Sequence, residues 1–160
     1  MADTSLWPVV VGGLLGVGGT MVGVIGTTIR DAARQRHETR KRRADKFEEL
    51  VAAVYEFDHW LDGIRQRDAF GVGDARDTVS PFAKMQSISS IYFPQFSELI
   101  AELDRASSQY RIWIYTAEQK RVSNNIAQIS DGFDEAFGPY AQKREALLKA
   151  LQKFAHDEFQ

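Results

Sequence analysis

Cysteine is absent from this chain, and histidine is scarce, with three in 160 residues. The first absence excludes disulfides, thiolate nucleophiles and thiolate-ligated metals, and it is compatible with a reducing compartment. Proline is confined to Pro8, Pro81, Pro94 and Pro139, so nothing between residues 9 and 80 is interrupted by one. Phosphate-loop glycines followed by G-K-[ST] are missing, and so is the G-x-S-x-G turn that exposes a nucleophilic serine. Formal charge is missing altogether from Thr4 to Ile29, 26 residues in a row, and no Lys or Arg precedes Arg30.

That uncharged run sets the first expectation. A bilayer core needs about 20 helical residues at roughly 1.5 Å each, so residues 4–29 have the length for one tilted span. A cleavable secretory signal carries a basic leader and a shorter apolar core, neither of which is present. Trp7 reads as a membrane-interface anchor, and Pro8 suits the first turn of a helix, where its missing N–H costs nothing.

Within the run, residues 12–26 hold seven of the twelve glycines. Gly12, Gly16, Gly19, Gly23 and Gly26 are spaced 4, 3, 4 and 3 apart, which puts them on one stripe of a helix. Lipid provides no hydrophobic force between helices, so small residues that let two backbones approach supply the contact instead. The stripe reads as a glycine-zipper helix–helix interface with a second copy or with another transmembrane protein.

Downstream, the charge changes character. Residues 30–46 carry eight Lys or Arg against three acids, whereas residues 47–160 carry 12 basic and 18 acidic side chains. The basic collar of Arg30, Arg34, Arg36, Arg40, Lys41, Arg42 and Arg43 fixes topology or meets anionic lipid head groups. It predicts an outside N-terminus and a cytoplasmic C-terminal domain. The acidic body argues against nucleic acid as a partner, because it repels phosphate.

The expected fold is all-α: one N-terminal transmembrane helix continuing into an antiparallel bundle of three or four helices. Three regions follow: 1–29 for the flank and span, 30–46 for a basic juxtamembrane helix, and 47–160 for the bundle. Phe47, Leu50, Val51, Val54, Phe57, Leu61 and Ile64 share one face of a first helix that ends near residue 67. Residues 68–80 read as a loop, and Ser80–Pro81 starts a short helix reaching about Tyr92, before Pro94 breaks the chain. Phe96, Leu99, Ile100, Leu103, Ala106, Tyr110, Trp113, Ile114 and Ala117 mark a longer helix. Residues 122–139 read as a loop holding a short helix. From Pro139, a final amphipathic helix carries Tyr140, Leu147, Leu148, Leu151, Phe154 and Phe159.

Chemistry-bearing arrangements are sparse. Glu56 and His59 form one half of a bundle metal site, but the second E-x-x-H is missing. His59 reads as a boundary residue and Asp58 as its solvated neighbour. Asp131, Asp134 and Glu135 read as a helix start or a loop face, and the aromatics Trp60, Tyr110, Trp113 and Tyr115 as core packing. No catalytic residue, cofactor or metal is therefore expected. The function read from the sequence is a non-enzymatic, single-pass assembly or accessory protein with a cytoplasmic docking domain. The alternative is a membrane-perturbing or pore-forming effector regulated by its bundle.

Overall fold

Apolar residues recurring every three or four positions from Phe47 onward demand partners for one side of each helix. The computed structural model describes residues 37–73 and 79–159, and it shows how four helices provide them. The chain divides into two units, residues 1–43 and residues 44–160. Of the first, residues 37–43 are described and are helical.

The helix that enters the second unit, α1, is described over residues 37–64. It buries Phe47, Leu50, Ala53, Val54, Phe57 and Leu61, the face expected from spacing. It then widens into a π-helical turn, Arg65–Ala69, that seats Ala69 in the core. Gly71 ends this element at φ +71°. A Cβ there would meet the Arg121 guanidinium at 3.2 Å, and Arg121 itself donates from Nε to the Asp68 carbonyl at 3.0 Å. The left-handed backbone is what favours glycine here, and a side chain would also have to displace the end of Arg121 slightly.

Helix α2, Phe82–Tyr92, starts where Ser80 Oγ accepts the Phe82 N–H at 3.3 Å. Phe93 leaves helical geometry at φ −141°, ψ 58°, as a residue preceding proline does, and Pro94–Phe96 form a single 3₁₀ turn. Helix α3, Ser97–Val122, then runs 26 residues, and its buried stripe comprises Ile100, Leu103, Ala106, Ser107, Tyr110, Trp113, Ile114 and Ala117. The segment 110–116, aromatic and β-branched enough for a strand, lies wholly within it.

The start of the last helix differs from expectation. Helix α4, Phe133–Phe159, begins six residues before Pro139 and carries that proline inside. An internal proline removes one helical hydrogen bond and costs about 3 kcal/mol. Aromatic packing outweighs the loss: Phe133 lies 5.0 Å from Trp113 in edge contact, and Phe137 lies 5.3 Å from Tyr110. The indole N–H of Trp113 also donates to the Asp131 carbonyl at 3.0 Å, pinning the turn that launches α4. Asp134 and Glu135 occupy its first turn, where the helix dipole favours negative charge.

The pairings fix the direction of each helix. Phe96 meets Phe154 while Trp113 meets Phe133, so α3 and α4 are antiparallel. Phe47 meets Phe154 while Asp58 meets Tyr140, so α1 and α4 are antiparallel as well. Phe47 against Phe93 and Phe57 against Phe82 reverse α2 on α1. Chain direction thus alternates, and the described residues form an all-helical four-helix bundle without a strand. Two aromatic clusters hold its ends, one around Phe93 and one around Tyr110.

Candidate functional site

The expected membrane-facing residues divide sharply between described and undescribed parts. Trp7, the glycine stripe from Gly12 to Gly26, and Arg30, Arg34 and Arg36 lie outside the described residues. Of the collar, Arg40, Lys41 and Arg42 are exposed on a helix, and Arg43 is half-exposed. Among the described residues no helix is long and apolar enough to cross a membrane. The uncharged run 4–29 is not among them.

Within the bundle, the densest polar arrangement joins α1 to α4. Asp58 sits on the border of the buried face of α1, one residue after Phe57. Tyr140 donates its phenol proton to Asp58 Oδ1 at 2.9 Å, and Arg144 Nη1 donates to both carboxylate oxygens at 2.8 Å. Asp58 is therefore no solvated neighbour of His59. Its partners stand 82 and 86 residues away in sequence, four apart on one face of α4, where local spacing on α1 gives no sign of them. His59 is exposed, and Glu56 pairs with Lys84 of α2 at 3.1 Å, so the E-x-x-H residues serve no common site.

A second polar group lies beside the first. Arg65 pairs with Asp62 on the adjacent turn, next to the buried phenol of Tyr110, and Tyr110 stacks on Tyr140 with ring centroids 5.6 Å apart. Burial pushes the Tyr110 phenol up from its ordinary range, and the Arg65 guanidinium partly opposes this. Burial likewise raises Tyr140, strongly, and the adjacent Asp58 carboxylate adds to the effect. The hydrogen bonds that Arg144 donates to Asp58 raise the Arg144 guanidinium from its ordinary range.

These shifts define what the cluster can do. A phenol held protonated is neither a base nor a nucleophile near neutral pH, and the Asp58 carboxylate is occupied from two sides. The arrangement orients α4 against α1 and fixes their register. It also predicts alkaline sensitivity. Above the ordinary phenol pKa of about 10, the unfolded chain loses protons that Tyr110 and Tyr140 still hold in the fold. Their stabilisation is complete below that pH and declines as pH rises, with a limiting slope of about 1.4 kcal/mol per pH unit for a tyrosine that stays protonated in the fold. Tyr140→Phe should cost about 1.5–3 kcal/mol at pH 7.5, the net worth of one hydrogen bond to a charged group. It should also show a smaller drop in urea midpoint between pH 7.5 and 11 than the wild type. An equal drop in both proteins would contradict the assignment.

The concave surface nearby is modest. A groove of about 320 Å³ between α3 and α4 is lined by Glu102, Arg105, Ala106, Gln109, Pro139 and Lys143. Its Lys143 and Glu102 neutralise one another at 2.9 Å, and this bond holds the Glu102 carboxyl below its usual range. Among the described residues, no group of three or more His, Asp or Glu side chains converges on a cation position. The aromatics expected as core behave unequally: Tyr110 and Trp113 are buried and stacked, Trp60 stacks on Phe57, and Tyr115 points outward at 62% exposure. No family model, curated protein or solved structure matches the chain.

Proposed function

We propose that this chain is a non-enzymatic, single-pass membrane assembly or accessory protein. Residues 4–29 cross the bilayer, their glycine stripe packs against a neighbouring transmembrane helix, and the basic collar holds the helical bundle on the cytoplasmic side. The neighbour is a second copy or another membrane protein. No cofactor takes part.

The observation that carries this reading is the 26-residue uncharged run whose five glycines recur at 4, 3, 4 and 3, followed at once by a basic segment. A continuous helix from residue 37 to 64 supports a stalk that is already helical within the collar. The aromatic core of the bundle supports a docking module, since its large buried side chains pack on each other. The most concentrated polar groups are likewise occupied in bridging α1 and α4.

The test is extraction of the full chain in mild detergent and mass measurement of the intact particle. The reading expects several copies, or one copy with a second membrane protein. A particle holding one chain alone would contradict it.

A further inference from the structure

Helix α3 serves the core along one side and leaves apolar surface on the other. Ile112, Tyr115 and Val122 remain 66%, 62% and 70% exposed, and none of them contributes to the core of its own bundle. Together with Arg105, Ser108 and Gln119 they recur at alternating spacings of 3 and 4, the seam of a two-helix coiled contact. Ile112 and Tyr115 are one turn apart on this face, so they form an apolar pair on a helix already held rigid by its bundle.

The charges beside the seam select its partner. One flank carries Asp104, Arg111 and Glu118, seven residues apart, and the opposite flank carries the neutral Gln109, Thr116 and Ser123. Arg111 reaches Asp104 at 3.7 Å and Ser108 Oγ at 2.9 Å, whereas Glu118 makes no ion pair among the described residues. In an antiparallel pair of identical helices, each flank faces the same flank of the other copy. Set Ile112 against Tyr115 of the second copy, and Arg111 of each copy faces Glu118 of the other, while Gln109 faces Thr116. Sliding the pair by one heptad in one direction opposes Glu118 with Glu118. Sliding it the other way opposes Arg111 with Arg111. A parallel pair sets the charged flank against the neutral one and forms no ion pair at all.

We propose that α3 is a self-association surface on which two copies of the chain pair antiparallel. Ile112 and Tyr115 form the symmetric apolar centre, and two Arg111–Glu118 ion pairs fix the register. The contact is two-fold and closes on itself, so it ends at a dimer. It concerns the bundle and holds whether or not residues 4–29 cross a bilayer.

Because the chain has no cysteine, introduced thiols are the only ones present. Ser108 and Gln119 face each other across the proposed interface but stand about 16 Å apart along one helix. A disulfide tolerates about 7 Å between Cα atoms, so the two cannot be bridged within a chain. Under mild oxidation, the full-length Ser108→Cys/Gln119→Cys variant should become a covalent dimer, while either single variant stays monomeric. Single variants that cross-link as well as the double would overturn the antiparallel register. A double variant that stays monomeric, or that links to a different protein, would overturn the self-association.

Charge exchange provides the second arm. Arg111→Glu replaces two attractions with two repulsions and should reduce dimer cross-linking about tenfold. Arg111→Glu combined with Glu118→Arg should restore it. If the combined variant is as defective as the single one, the assigned register is wrong.

Discussion

Phe93→Ala is expected to lower the stability of the bundle by about 3–5 kcal/mol, the range for deleting a buried phenyl ring. Phe93 is fully buried and lies at the centre of one aromatic cluster. Phe47 and Phe154 meet it edge-on at 5.5 and 5.7 Å, and Phe96 lies at 6.4 Å. Such contacts add to the transfer term, since edge-to-face pairs contribute about 0.5–1.5 kcal/mol beyond area burial. The site has little freedom to collapse into the vacated space. Pro94 fixes the following turn, and the Phe93 N–H closes α2 on the Ser89 carbonyl at 2.9 Å. Two residues earlier, Ile91 is 71% exposed, and its replacement by alanine should change stability by less than about 0.5 kcal/mol. Urea midpoints of the two variants measure the contrast. Equal losses would contradict the packing described.

Which residues are buried and which exposed was legible from spacing on α1 and α3, whereas the short α2 carried no such pattern. The inner faces of α1 and α3 follow a 3.6-residue period, and the residues expected there, from Phe47 to Leu61 and from Phe96 to Ala117, are the ones that pack. The aromatic, β-branched stretch within α3 stayed helical because the same period continues on both sides of it. The beginning of α4 was not legible. Local rules read Pro139 as a helix start, but Phe133 and Phe137 find Trp113 and Tyr110 across the bundle and carry the helix through the proline.

Asp58 was missed for a related reason. A carboxylate next to an exposed histidine looks solvated when only its own helix is considered, and its Tyr140 and Arg144 partners become neighbours only after α4 folds back. The signal available was geometric: Asp58 borders a buried face, and Tyr140 and Arg144 are one helical turn apart. The glycine stripe and Arg30, Arg34 and Arg36 of the basic collar lie outside the described residues, so their role rests on spacing, charge and the physics of lipid.

Gly19→Leu is the second large effect. On a helix whose smallest residues face a neighbour, a leucine at the closest approach holds the two backbones apart and removes dispersion contacts along the stripe. The expected outcome is at least a tenfold loss of association of the full chain in mild detergent, equivalent to about 1.4 kcal/mol. Leu14→Ala, on the side of the helix away from the stripe, should leave association unchanged. Both substitutions keep the segment uncharged and long enough to span, so both variants should remain with the membrane. If Gly19→Leu assembles as the wild type does, the stripe is not a contact surface.

The central claim is that residues 4–29 hold the chain in a bilayer, and membrane fractionation addresses it most directly. The full chain should sediment with membranes, resist extraction by high salt and alkali, and enter solution only with detergent. The chain lacking residues 1–29 should appear in the soluble fraction. A full chain released by salt or alkali, or a truncated chain that still resists both, would contradict the account.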